Sequence, residues 1–166
     1  MALSASTTPP TLGLFGACFE SSGLQRIDDQ HYRILTLADT LHVAMTGGNA
    51  QPIMGAFLDR LEAALLRHLS TEEEIMDVLN YPARAGHMRE HDHARRVIER
   101  LQRAFREGSM PIAYDTMEFL RRWLRPHLRG PDREHAVFLR AHRRDLVDRR
   151  ERWKSGTILQ PHRTQS

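Results

Sequence analysis

The residues with the most chemistry in this sequence are histidines set at helical spacing beside carboxylates. His68 and Glu72 are four residues apart, as are His87 and His91; on a helix such pairs lie one turn from each other on a shared face. His31 closes the run IDDQH, and His127 is followed five residues later by Asp132, just past Gly130-Pro131. Together these are five imidazoles and two carboxylates, a donor set large enough for two metal ions. Imidazole nitrogen with carboxylate oxygen suits iron, and the absence of thiolates from the set disfavours zinc or an iron-sulfur cluster. Singly, each residue is explained as an ordinary surface or satisfied core group. Burying all seven without a metal would cost several kcal/mol in unpaired polar groups and charge.

Helices must position these groups. Ile27, Ile34, Leu35, Leu37, Ala38, Leu41 and Met45 recur at three and four until the breaker run Thr46-Gly47-Gly48-Asn49. A second helix starts near Pro52, with Ile53, Phe57, Leu58, Leu61, Leu65, Leu69, Ile75 and Met76 as its stripe, and stops before Asn80-Tyr81-Pro82. A third runs from about Ala83 to Glu107 and ends at Gly108, and a fourth runs from about Pro111 to the Gly130-Pro131 break. Short links leave no room for crossovers, so the expectation is an all-α, antiparallel up-down-up-down four-helix bundle. A fifth, Arg-rich helical stretch from about Asp132 to Lys154 adds an additional C-terminal helix. The expected organisation is a loose N-terminal arm over residues 1–23, the bundle over 24–140 and a basic extension over 141–166.

The composition sets the bounds. The chain has 166 residues, 10 of them His and only one Cys. Cys18 alone can form no internal disulfide, which excludes a disulfide scaffold and Cys-based zinc sites. No apolar run of about 18 residues and no basic start leading into an apolar stretch is readable, so a cytoplasmic location is expected. The 24 Lys and Arg against 21 Asp and Glu give a net charge of +3, but residues 140–166 alone hold 8 basic and 3 acidic groups. The basic character therefore belongs to a tail, read as a solvated helix end before it is read as a nucleic-acid surface.

The segments IDDQH, HLSTEEEIM, NYP followed by HMREH, and WLRPHLRGPD resemble the bacterial hemerythrins over about residues 24–140, with every ligand spacing in agreement. The resemblance implies a non-haem di-iron centre. His87, His91 and His127 would bind one iron and His31 and His68 the other, with Glu72, Asp132 and an oxo or hydroxo group as bridges. The His31/His68 iron then keeps a vacancy, where the family binds O2. Two ferrous ions, two carboxylates and one hydroxide leave a single positive charge, a centre better suited to reversible O2 binding than to high-valent oxidation. A carboxylate-rich ferritin-like site needs two Glu-x-x-His pairs and two further Glu; only Glu90 to His93 has that spacing, and His93 points away from His91.

By helical phase Leu35, Met76 and Trp123 are candidate walls of an apolar O2 pocket, and each is equally explained as bundle core. Glu73 and Glu74 read as solvated surface. His42, His93, His135, His142 and His162 have no assigned metal role. The sequence departs from the family where an aromatic usually precedes the first helix, with Phe15 or Phe19 as substitutes, and at Leu69, where Phe is common. Pro126 removes a helical hydrogen bond just before His127, so a kink is expected. The expected function is reversible O2 binding without enzymatic turnover, in a monomer with no nucleic-acid or membrane partner. An O2 or redox sensor or regulatory module acting through the basic extension 141–166 on an acidic protein partner, nucleic acid or membrane, or a di-iron peroxide- or nitric oxide-handling enzyme, is the alternative.

Overall fold

The computed structural model describes residues 13–16, 19–108 and 111–154, the last few of these by backbone alone. Cys18, His162, the start of the arm and the end of the extension lie outside the described residues. Helices α1 (Gln25–Thr46), α2 (Met54–Leu79) and α3 (Arg84–Arg106) are followed by α4 (Ile112–Phe119), a π-helical turn over Leu120–Leu124, and α5 (Arg125–Arg129). Then come α6 (Pro131–Ala141) and α7 (Arg143–Lys154). No strand occurs among the described residues. Helix α1 packs on α2, α2 on α3 and α3 on α4, and α4 returns to α1, closing the ring of an all-α hemerythrin-type bundle.

The breakers act where their chemistry requires. Gly48 takes a φ of +71° in the turn after α1, a conformation that strains residues with a Cβ. Asn80 caps α2 in the left-handed region at φ 52° and ψ 53°, and the Tyr81 N–H donates back to the Met76 carbonyl at 2.9 Å. The long apolar stripe of α2 forms the axis of the core: Leu58, Leu61, Leu65 and Leu69 are fully buried with Leu35, Ile98 and Leu120 around them. Each such side chain contributes about 1.5–3 kcal/mol relative to exposure. A second cluster of Ile27, Leu79, Leu139 and Leu146 joins α1, α2, α6 and α7.

Several elements differ from their sequence expectation, each for a local reason. Part of the N-terminal arm is tied down: Asp39 accepts from the Gly13 N–H at 2.7 Å and the Phe15 N–H at 3.0 Å, and Phe15 is fully buried in the main core while Phe19 stays exposed. The fourth helical run takes a π turn immediately before Pro126. A proline donates no N–H to the carbonyl four residues back, and a wider turn absorbs that lost bond at the step that aims His127 inward. The fifth stretch is two helices, because it breaks at His142. There the ring Nδ1 donates to the Phe138 carbonyl at 2.9 Å and the ring stacks on Phe138, competing with the helical ladder.

Candidate metal centre

Four walls of the bundle and α6 each send a donor to one point. His31 comes from α1, His68 and Glu72 from α2, His87 and His91 from α3, His127 from α5, and Asp132 from the first turn of α6. All seven are buried, His91 completely. The helical pairs meet because their spacing stacks them: the His87 and His91 rings lie 4.5 Å apart, and His127 lies 4.9 Å from His87 and 5.3 Å from His91. His31 and His68 form a separate pair 4.6 Å apart. A three-plus-two grouping is therefore present in the side chains themselves.

The carboxylates stand between the groups. Asp132 Oδ1 is 2.9 Å from His127 Nε2 and 3.1 Å from His87 Nε2, while Oδ2 is 3.3 Å from His31 Nε2 and 3.8 Å from His68 Nε2. Glu72 Oε2 lies 3.4 Å from Nε2 of His87 and of His91 and 3.6 Å from Nε2 of His68. One donor atom from each of Glu72, His87, His91, His127 and Asp132 falls within a 4.8 Å neighbourhood, and so does one from each of His31, His68, Glu72 and Asp132. Nε2 of His31, His68 and His91, Glu72 Oε2 and Asp132 Oδ2 are buried here without a hydrogen-bond partner. Buried polar atoms are almost always satisfied, so orphans converging from five residues form a donor set suited to cations. Nitrogen and oxygen donors of this kind fit iron.

The electrostatics favour anionic carboxylates. Burial and the neighbouring charge of Asp132 push the Glu72 carboxyl up, but His68, His135 and His87 outweigh them and hold it well below the usual range. Burial likewise works against Asp132, and His127, His31 and His68 bring it well below its ordinary value. Burial lowers His87, yet its hydrogen bond to Asp132 and its close contact with the Glu72 carboxylate raise it to about 9. His31 and His91 are also raised, whereas burial dominates at His68 and lowers it.

Of the candidate pocket walls, Leu35 and Met76 are fully buried, one turn beyond His31 and Glu72 respectively. Trp123 lies flat on His127, with ring centroids 4.4 Å apart and planes 21° apart, within the three-histidine group. Two participants are missing from the sequence reading. Glu73 is not solvated surface: it is partly buried, accepts from His91 Nδ1 at 2.8 Å, and is held by Arg95 Nη2 at 2.7 Å. Burial raises its carboxyl, but these hydrogen bonds bring it below its ordinary value. One step around α2 from Glu72 faces the α2/α3 groove, and Arg95, four residues after His91 on the same face of α3, was the available signal. The other is His135, fully buried, with Nδ1 3.1 Å from Glu72 Oε1. His93 is exposed, and His42 and His142 are partly buried.

The family described as Hemerythrin HHE cation binding domain matches residues 22–139. A bacteriohemerythrin of Stenotrophomonas maltophilia is 32% identical over 120 residues, covering 72% of this chain and 77% of its own. Another, from Methylococcus capsulatus, is 34% identical over 114 residues, covering 69% and 86%. A third, from Pseudomonas aeruginosa, is 28% identical over 127 residues, covering 76% and 82%. No solved structure gives a significant match. With its helical ring and its converging histidines and carboxylates inside the matched span, the chain belongs to the hemerythrin family.

Proposed function

We propose that this protein binds O2 reversibly at a pair of non-haem irons, as a store, buffer or carrier. His87, His91 and His127 would hold one iron and His31 and His68 the other, with Glu72 and Asp132 shared between them and a solvent-derived oxo or hydroxo group completing the centre. The observation that carries the reading is Asp132, whose two oxygens face the two histidine groups separately. Bound there, two irons would supply the O2 chemistry: three imidazoles would serve one and only two the other, so the His31/His68 side would be the less crowded. The protein's part would be to keep that side dry with apolar neighbours such as Leu35 and Met76. Only two carboxylates serve two cations, so the donor set does little to stabilise high-valent iron, and a carrier role is favoured over turnover.

An anaerobic-to-aerobic optical titration with iron analysis is the test. About two irons per chain are expected, with a visible charge-transfer band that appears on exposure to O2 and is lost when O2 is removed. Failure to recover the starting spectrum would sink the carrier reading. No helix among the described residues is long and apolar enough to cross a membrane.

Loading should also depend on pH. In the metal-free protein His87, raised to about 9, holds a proton at neutral pH, and an imidazole must lose it to bind metal. Ferrous ion is therefore expected to release protons on binding near pH 7, with apparent affinity rising up to about tenfold per pH unit from 6.5 toward 9. The sign follows from the raised value: the His87-carboxylate contact stabilises the metal-free fold fully below the unfolded pKa of about 6.5 and is lost as pH climbs through about 9. Isothermal titration in buffers of different ionisation enthalpy counts the protons; none released at pH 7 would contradict this.

A further inference from the structure

We infer that His135 is a positioning residue for Glu72, holding its carboxylate in the orientation that meets the metal centre. The inference rests on the iron-centre reading above and concerns a residue outside the seven donors. His135 follows Asp132 by three residues on α6, so the two project from the same side of that helix into the bundle. Its side chain is fully buried. Nδ1 stands 3.1 Å from Glu72 Oε1; an ionised carboxylate only accepts, so the ring nitrogen donates. Nε2 has no partner, and the ring's single hydrogen bond is therefore spent on Glu72.

The ring has little freedom to turn away. Tyr81 lies 5.1 Å from it at 45°, His87 lies 5.6 Å from it edge-on at 88°, and Tyr81 is backed by Phe138 at 5.0 Å. The consequence falls on Glu72. With Oε1 held by His135, Oε2 is the oxygen that stands nearest the Nε2 atoms of His68, His87 and His91. His135 thus holds Glu72 in a single orientation before any cation arrives.

Two substitutions separate the hydrogen bond from the volume of the ring. In His135→Asn the amide nitrogen sits as many bonds from the backbone as Nδ1 does and can still donate; His135→Phe keeps a ring and donates nothing. Wild type and both variants are loaded anaerobically with ferrous ion, the affinity is measured, and infrared difference spectra record the carboxylate stretches, whose splitting reports one-oxygen against two-oxygen ligation. The Phe variant is expected to bind iron about 10- to 100-fold more weakly and to shift a carboxylate band, while the Asn variant stays near wild type in both. Wild-type affinity and spectrum in the Phe variant would overturn the inference, as would an Asn variant as impaired as the Phe variant. If the Phe variant does not fold, His135→Leu, smaller and equally without a donor, replaces it under the same criteria. A wild-type chain that takes up no iron would fail the centre itself and this inference with it; a wild type that loads normally beside an unaffected Phe variant would fail only the role of His135.

Discussion

Asp132→Ala is expected to lower the iron content from about two per chain to below one, and to destabilise the metal-free bundle by about 3–5 kcal/mol. Both effects come from one geometry. Asp132 is fully enclosed, and its oxygens stand 2.9–3.8 Å from the Nε2 atoms of His127, His87, His31 and His68. Alanine leaves those four buried imidazoles without the anion that holds them, and removing one partner of a buried charged set is far more costly than replacing the set as a whole. Asp132→Asn separates charge from shape, since the amide keeps the volume but offers a nitrogen where an anionic oxygen stood; it should also lose iron. The carboxyl of Asp132, held well below its ordinary value, contributes stability that is present above about pH 4 and lost only as pH falls through that depressed value. The alanine variant should therefore differ most from wild type near neutral pH and converge with it in strong acid. Iron analysis at pH 7 and urea unfolding at pH 7 and in progressively stronger acid measure this, and two retained irons would defeat the proposed bridging role.

The same residues show why some of this molecule was legible in its sequence. His68 with Glu72, and His87 with His91, are written at a spacing that a helix turns into a shared face, so their convergence needed only the helices to form. The stripe of α2 and the breakers at Gly48 and Asn80 made those helices readable. Glu73 and His135 were not readable in the same way, because each owes its role to a different helix: Glu73 to His91 and Arg95 on α3, His135 to Glu72 on α2. A charged residue beside a ligand looks like surface until the neighbouring helix is placed. The π turn before Pro126 is similar. A proline announces that a hydrogen bond is missing, but whether the helix kinks, stops or widens depends on what Leu120, Trp123 and Leu124 pack against, and all three belong to the main core. Phe15 was visible as a candidate aromatic, yet its burial required Asp39 to capture the backbone on either side of Leu14.

Trp123→Ala is expected to cost about 3–5 kcal/mol in unfolding free energy and, on the proposed O2-binding function, to speed irreversible oxidation of the O2-bound form by about tenfold or more, a change of roughly 1.4 kcal/mol in barrier. The indole covers His127 face to face, and Phe119 stacks behind it with centroids 5.4 Å apart and planes within 9°. On the outer side both rings border a surface cleft of about 510 Å³ that also takes in Glu90, His93, Arg100 and Arg122. Trp123 is thus the side chain that stands between this cleft and His127. Its removal creates a void that water can enter from the cleft, and on the O2-binding reading the loss of an apolar shield would favour oxidation of the centre. Trp123→Phe tests the account from the other side. The indole N–H is buried without a partner, so phenylalanine discards an unsatisfied donor along with part of the ring, and its stability loss should be well below that of alanine. If shielding is what matters, the Phe variant should oxidise at a rate between wild type and Ala. Decay of the O2-dependent band in air, followed beside thermal unfolding, distinguishes the cases: an alanine variant that unfolds earlier yet oxidises as slowly as wild type would leave Trp123 a packing residue and nothing more.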